Sequence, residues 1–170
     1  MNKRTTLLLL TAVPLLTMPL RADSRRPQRD FRAELRGRNE VPLTLSGGRG
    51  SLTLKVNDMD TSVHFVLEYS GLTAGQVAHI HVGKPKVNGN VTVFFCDGTT
   101  RPACPAAPAR VEGDFVATDV LGIVPQQLEA GNLAKLLAAI RAGKTYGNVH
   151  TTTSPGGEIR GQIHAEEREN

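Results

Sequence analysis

The sequence contains no tryptophan, and its aromatic residues make up only 4% of the 170 positions. A chain with so few aromatic side chains has no stacking platform for bases or sugars. Phosphate-binding signals are also missing, because the glycine cluster 47–50 leads into a strand-like run and not into a lysine and a helix. No serine lies in a nucleophile elbow. These absences argue against a nucleic-acid binder and against the common nucleotide-binding and serine-dependent enzymes.

Cysteine is almost as scarce, since Cys96 and Cys104 are the only two. The segment between them, residues 97–103, has the composition of a loop, and a Cys-x7-Cys spacing is typical of neither zinc nor redox sites. We predict a disulfide that pins this loop and stabilises the fold by about 2.5 kcal/mol. A pair of thiolate metal ligands is the alternative. Met59 lies in a turn and the other two methionines lie near the N-terminus, so a blue-copper site is not expected.

The N-terminus has the features of an export signal. A short basic start precedes an apolar run, Leu7–Leu20, and the small residue Ala22 follows it. An apolar run of about 14 residues is too short to span a bilayer. We predict that residues 1–22 are a signal peptide and that the protein is periplasmic or secreted, with no transmembrane span in its mature form. An uncleaved interfacial anchor is the alternative, because Leu20 and Arg21 do not fit the usual small-x-small cleavage pattern.

Removal of this leader would take away most of the net charge. The whole chain carries +4, from 20 basic and 16 acidic residues. The leader contains Lys3, Arg4 and Arg21 and no acid, so 17 basic residues would remain against 16 acidic ones, a net charge of +1. We predict that the basic segment 23–30 is disordered and that the acidic tail 166–170 is solvated. Binding to nucleic acid is therefore not expected.

Most of the chain alternates between apolar and polar residues in short runs, which is typical of half-buried strands. The predicted strands cover residues 31–36, 52–56, 63–69, 77–82, 91–96, 112–120, 145–151 and 158–165. Eight short strands separated by glycine-rich turns indicate an antiparallel arrangement. The sequence thus predicts one all-β domain over residues 31–165, a Greek-key β-sandwich or barrel.

One segment does not show this strand-like alternation. Its apolar residues recur at helical spacing and are Leu133, Leu136, Leu137 and Ile140. Asn132 stands where an N-cap belongs and Gly143 where a C-terminal cap belongs. We predict a helix of about ten residues whose apolar stripe covers an open end or edge of the sheet. A helix that binds a partner is the alternative.

Three of the five histidines lie in two strand-like segments, where each alternates with apolar residues. Residues i and i+2 of a strand share a face, so His79 and His81 point the same way while Ala78 and Ile80 point the other way. Imidazole is a common ligand of copper and zinc, and His150 from another strand would complete a three-nitrogen site. The alternative is that these histidines are polar surface residues that hydrogen-bond across neighbouring strands.

The remaining candidates are less specific. His64 faces away from the apolar side of its strand and is a possible fourth ligand, whereas His164 lies near the terminus and is less suited. Glu158 and Arg160 face the same way on their strand. We expect Arg160 and Glu158 to form a structural ion pair, either with each other or with groups on the histidine face.

Five segments of the sequence carry a family resemblance. They are Leu35–Pro42, Ala78–Gly83, Asn88–Val91, Tyr146–Thr151 and Gly157–Ile163. Together they resemble the CHRD domain, the module first described in chordin and widespread in exported bacterial proteins, over about residues 31–164. The resemblance implies a small extracytoplasmic β domain whose biochemical activity is poorly defined across the family.

A second resemblance concerns the histidine strands alone. A His-x-His strand and a later Val-His ahead of a glycine-rich turn are similar to the copper-site strands of Cu/Zn superoxide dismutases, which are eight-stranded Greek-key barrels. By this similarity His79, His81 and His150 would be copper ligands. The sequence lacks the long zinc loop and the arginine-bearing active-site loop of those enzymes. The resemblance therefore supports metal binding more than catalysis.

We predict from the sequence an exported, non-enzymatic CHRD-domain protein that binds a transition metal, copper first, through His79, His81 and His150. The alternative is a structural or protein-interaction module without metal, in which the histidines brace neighbouring strands. A dismutase-like copper enzyme is a further alternative. The sequence does not identify a protein partner.

Overall fold

Alternating apolar and polar residues form nine strands in the computed structural model, which describes residues 27–73 and 75–166. The strands are β1 (Asp30–Arg36), β2 (Arg49–Val56), β3 (Ser62–Ser70), β4 (Gly75–Val82), β5 (Asn90–Cys96), β6 (Ala109–Val116), β7 (Thr145–Thr151), β8 (Ile159–Gln162) and β9 (His164–Ala165). The predicted leader lies outside the described residues, as do part of the predicted basic segment and most of the predicted acidic tail.

All strand pairs within this part of the chain are antiparallel, and the order in the sheet is β5-β4-β7-β8-β1-β2-β3-β6, with β9 added to β1. The two ends of this order, β5 and β6, contact each other. The sheet therefore curls into a nearly closed barrel of eight strands. The predicted all-β antiparallel fold is confirmed.

The barrel has an apolar interior because one side of each strand carries its large apolar residues. Fully buried examples are Phe31, Leu35, Leu52, Phe65, Ile80, Phe95 and Phe115. Burial of each such side chain contributes roughly 1.5–3 kcal/mol. The opposite face of β4, β7 and β8 carries polar side chains, and it is this outer face that holds the candidate site.

The helix forms as predicted and is α1 (Leu133–Arg141). The side-chain oxygen of Asn132 accepts a hydrogen bond from the backbone N–H of Lys135 at 3.0 Å, which caps the N-terminus. Gly143 has a φ of +62°, the left-handed conformation that commonly follows a helix. The four apolar residues of the stripe are buried in the hydrophobic core, so the helix covers the barrel.

Two predicted strands have different bounds. Strand β6 ends at Val116 and not at residue 120, because a side-chain oxygen of Asp119 accepts the Val116 N–H at 2.8 Å and a short 3-10 turn follows. The predicted strand 158–165 is divided at Ile163, whose N–H donates to the carbonyl of Thr145 at 2.9 Å. The chain changes its pairing at this residue, from β7 and β1 before it to β1 alone after it.

Residues 28 and 29, which precede the predicted domain, contact it. The Gln28 side chain donates to the carbonyl of Asp30 at 2.6 Å, and the Arg141 guanidinium donates to the Gln28 carbonyl at 3.2 Å. Arg29 forms an ion pair with Asp58. The last residues of the predicted basic segment are therefore attached to the domain.

Cys96 and Cys104 form a disulfide with a Cα–Cα distance of 5.0 Å. The predicted disulfide is confirmed. The alternative, in which the two cysteines are thiolate metal ligands, is therefore wrong. Within residues 27–73 and 75–166, no helix is long and apolar enough to cross a membrane.

Candidate metal centre

Three histidine side chains meet on the outer face of β4 and β7. One ring nitrogen from each of His79, His81 and His150 lies within 4.8 Å of the other two. The ring centroids of His79 and His81 are 4.5 Å apart, and those of His79 and His150 are 4.6 Å apart. Among the residues that the structure describes, these three form the one group with the spacing of a metal site.

Strand register explains why the chain brings them together. In the β4–β7 ladder His79 lies opposite Asn148, and His150 lies opposite Val77. Side chains of directly opposed and diagonal residues on one face of an antiparallel pair are neighbours. The alternate residues, including Ala78 and Val149, are buried in the core. The predicted division of β4 into a histidine face and an apolar face is therefore correct.

Each histidine has one buried ring nitrogen that makes no hydrogen bond within the described chain: Nδ1 of His79, Nε2 of His81 and Nε2 of His150. In His81 and His150 the other ring nitrogen already makes a hydrogen bond. Nδ1 of His81 lies 3.0 Å from the carbonyl of Gly89, and Nδ1 of His150 lies 2.8 Å from the carbonyl of Pro155. A carbonyl only accepts, so these Nδ1 atoms carry the proton and the Nε2 lone pairs are free.

The cluster is held in its uncharged form. Burial lowers the pKa of His79 to about 2, with a further contribution from the neighbouring His81 and His150. Burial likewise lowers the pKa of His81 to about 4, and it lowers the pKa of His150. Three neutral imidazoles present lone pairs at neutral pH, which is the state that binds a metal ion.

The nitrogen spacing is close to what one ion requires. Metal–nitrogen bonds of about 2.1 Å allow two ligand nitrogens to be at most about 4.2 Å apart. The distance of 4.8 Å exceeds this limit by about half an ångström, which small rotations of the rings would supply.

The other two described histidines do not join the cluster. His64 on β3 is half-buried and lies 3.1 Å from a carboxylate oxygen of Asp114 and 3.4 Å from one of Glu112, so it belongs to a surface ion-pair group. The suggestion of His64 as a fourth ligand is therefore wrong. His164 is exposed on β9. This agrees with the sequence analysis, which found it less suited than His64 to be a fourth ligand.

Aromatic side chains that sequence reasoning did not select complete the walls of the cluster. The ring of Tyr146 is stacked on His81 with centroids 4.6 Å apart, and Phe94 lies edge-on to His79 at 5.3 Å. The Tyr146 hydroxyl oxygen accepts the N–H of Gly89 at 3.1 Å. Period-two alternation of Tyr146 with His150 along β7 was a signal that could have identified it.

A buried polar network lies beside the cluster and extends from Asn148. The Asn148 amide donates to a carboxylate oxygen of Glu40 at 2.7 Å, and the second carboxylate oxygen lies 3.7 Å from Nε of Arg160. The Arg160 guanidinium in turn lies 4.8 Å from the centre of the Tyr146 ring. Burial raises the pKa of Glu40 to about 7, against the opposing effects of Arg160 and Asn148.

Arg160 thus forms an ion pair, but its partner is Glu40 and not Glu158 as one of the sequence alternatives had it. Glu158 instead accepts hydrogen bonds from the hydroxyl groups of Ser46, at 2.6 Å, and Thr151. Both carboxylates have a structural role, because each is satisfied by neighbouring groups in the interior of the domain.

Comparison with known proteins agrees with the resemblance seen in the sequence. The family model for the CHRD domain matches residues 31–163, which is most of the chain and includes all three clustered histidines. A search of curated proteins finds no match.

Proposed function

The chain belongs to the CHRD domain family, and we propose that it is an exported, non-enzymatic protein that binds one transition-metal ion, copper first, through His79, His81 and His150. The ligand atoms in this proposal are Nδ1 of His79 and Nε2 of His81 and His150. These are the three nitrogens that are buried and make no hydrogen bond to any described residue.

The convergence of three histidine rings, each with an unpartnered buried nitrogen, is the observation that carries the proposal. A buried polar atom without a partner costs about 1–3 kcal/mol, and each of the three histidines has one such nitrogen. The three rings also converge, since one ring nitrogen of each lies within 4.8 Å of the other two. A shared metal ion would satisfy all of them at once. If the histidines served only to brace strands, we would expect each ring to be satisfied by protein groups.

The surroundings of the rings support the same proposal. Metal-binding histidines usually donate their second ring N–H to a carbonyl or carboxylate, which fixes the ring and increases the basicity of the ligand nitrogen. His81 and His150 have this arrangement with the carbonyls of Gly89 and Pro155. One histidine ring can therefore hydrogen-bond to a loop carbonyl through one nitrogen and bind a metal ion through the other.

Copper is the first choice because of the donor set. Imidazole nitrogens suit copper, zinc, iron and nickel, and Cu(II) binds such sites most tightly among the divalent first-row metals. Export is proposed because of the predicted leader and the Cys96–Cys104 disulfide, since structural disulfides persist mainly in oxidising compartments.

Titration of the metal-free protein with Cu(II) and with Zn(II) against a competing chelator tests the proposal. We expect one equivalent of Cu(II) with a dissociation constant below about 1 μM. Replacement of any one clustered histidine by alanine should weaken binding by about 100-fold or more, since loss of a ligand exceeds the usual effect of losing a supporting residue. The copper-loaded protein should dismutate superoxide no faster than free copper does.

His64→Ala is the matched control, because it removes a histidine that lies outside the cluster. Binding should be unchanged in this variant. Binding weaker than micromolar in the unmodified protein, or an equal loss in His64→Ala, would instead favour the structural module without metal.

A further inference from the structure

A cleft of about 1220 Å³ lies on the outer face of the barrel, beside the histidine cluster. Its floor is formed by β1, β7 and β8, and its walls are the loop 38–43 and the turn 84–86. Tyr146 separates the two sites, because it lines the cleft and also stacks on His81. The clustered histidines themselves are not part of the cleft lining.

Arg160 fixes the two walls in place. Its Nε donates to the carbonyl of Asn39 at 2.6 Å, and its Nη1 donates to the side-chain oxygen of Asn88 at 2.8 Å. The amide of Asn88 then donates to the carbonyl of Val41 at 3.0 Å. Arg160 is only 4% exposed, so the cleft is a preformed feature, as ligand sites usually are.

The cleft carries an excess of positive charge. Four cationic side chains that line it have no ion-pair partner within the described residues, and they are Arg32, Arg38, Lys84 and Lys86. Two of the three acids in the lining are already paired, Glu34 with Arg36 at 3.0 Å and Glu40 with Arg160 at 3.7 Å. Among the acids of the lining that belong to the described part of the chain, only Glu166 is left to offset the four cations. A concave site with uncompensated charge of one sign attracts ligands of the opposite sign.

The same walls also present apolar surface. Leu43 is 61% exposed, and it lines the cleft together with the exposed residues Pro42 and Pro85. An inorganic ion would leave this surface unused, whereas an organic anion would cover it. We propose that the cleft binds a small organic acid, whose carboxylate lies among the cationic side chains and whose apolar body packs against Leu43, Pro42 and Pro85. This site does not depend on the proposed metal.

An NMR titration with benzoate, in the absence of metal, tests the proposal. We expect saturable shifts of the backbone amides of Tyr146, Gln162 and Ala165, with a dissociation constant of about 10 mM or tighter for a ligand of this size. Benzamide has the same shape without the charge and should give no saturable shift. Added salt should weaken benzoate binding, because it screens the exposed cations.

Two charge-matched double variants locate the binding. Lys84→Ala with Lys86→Ala should weaken benzoate binding about threefold or more. Arg49→Ala with Lys55→Ala removes two exposed cations of β2 that lie outside this cleft and form no ion pair with any described residue, and it should leave binding unchanged. Equal losses in the two double variants, equal binding of benzamide, or no saturation would each overturn the proposal. Phosphate that binds as tightly as benzoate would overturn the assignment to an organic acid. Binding of the protein to phosphatidylglycerol vesicles, without any response to benzoate, would overturn it as well.

Discussion

The rings of His81 and Tyr146 lie face to face, with centroids 4.6 Å apart and planes inclined by only 7°. The two residues are direct partners in the β4–β7 ladder. Gly89 closes the arrangement, because its carbonyl lies 3.0 Å from Nδ1 of His81 and its N–H donates to the Tyr146 hydroxyl at 3.1 Å. The orientation of His81 and the position of its proton are therefore fixed by this ring stack and by one glycine.

Tyr146→Phe should weaken Cu(II) binding by about tenfold, because it keeps the stacked ring but removes the acceptor that holds Gly89 in place. Tyr69→Phe is the matched control. The Tyr69 hydroxyl donates to the carbonyl of Pro105 at 2.5 Å, away from the cluster, so its loss should lower stability and leave the affinity for copper unchanged. Equal affinities of the two variants in a competition titration would show that the Tyr146 hydroxyl does not support the site.

Gly89→Ala should displace the loop that carries this carbonyl. A Cβ atom at Gly89 would lie 1.8 Å from the carbonyl oxygen of Val82, so the backbone must move. Overpacking of this kind typically costs about 1–3 kcal/mol, and we expect this loss in the free energy of unfolding measured with urea. Gly156→Ala is the control, since a Cβ there meets nothing within 4 Å. A Gly89→Ala protein as stable as the control would contradict the packing described for the loop.

Metal binding should depend little on pH between 8 and 5. The pKa of His79 is lowered to about 2, that of His81 is lowered to about 4, and that of His150 is also lowered by burial. Protons therefore compete with the ion less than they do at an exposed histidine site. An exposed histidine site would lose affinity below its ordinary pKa of about 6.5. Zn(II) titrations at several pH values, each on protein shown to be folded by circular dichroism, measure this. A steep fall in affinity starting at pH 6.5 would mean that the rings are solvated.

Stability without metal should show two opposing effects of pH. The depressed pKa values of the histidines stabilise the fold above about pH 6.5, and this contribution is lost as the pH falls. Glu40 acts in the other direction, because its pKa is raised from 4.5 to about 7. The folded protein then binds the proton more tightly than the unfolded chain, and stability is lost as the pH rises from about 4.5 to 7.

Glu40→Gln isolates the second effect, since the glutamine oxygen can still accept from Asn148. The free energy of unfolding of the variant relative to the unmodified protein should increase from pH 5 to pH 8, by up to about 3 kcal/mol. Urea unfolding at the two pH values measures this difference. A relative stability that stays constant, or that decreases with pH, would contradict the account of Glu40 as a buried carboxyl.

The local pattern of apolar and polar residues was enough to predict most of the fold. The alternation around His79 and His81 identified the face they share, and the spacing of Leu133 and Ile140 identified the helix, because periodicity reports directly on which side of an element is buried. The loop composition between the two cysteines was enough to predict their disulfide. Strand ends were less predictable, since β6 stops where a single side chain, that of Asp119, captures a backbone N–H.

The surroundings of the cluster could not be read from such patterns. Gly89, Pro155 and Glu40 lie in loops that fold back over the outer face, where they contact His81, His150 and Asn148 respectively. The partner of Arg160 could not be identified from the sequence, because Glu40 is 120 positions away while Glu158 is two. Contacts of this kind depend on the assembled barrel and leave no periodic signal.

The most direct test of the metal proposal is a crystal structure of the copper-loaded protein, with anomalous diffraction recorded at the copper edge. We predict a single strong anomalous peak at about 2.0–2.1 Å from Nδ1 of His79, Nε2 of His81 and Nε2 of His150, with the Gly89 and Pro155 carbonyls still bonded to the other nitrogens of their histidines. A peak at any other place, or no peak in crystals grown with excess copper, would contradict it.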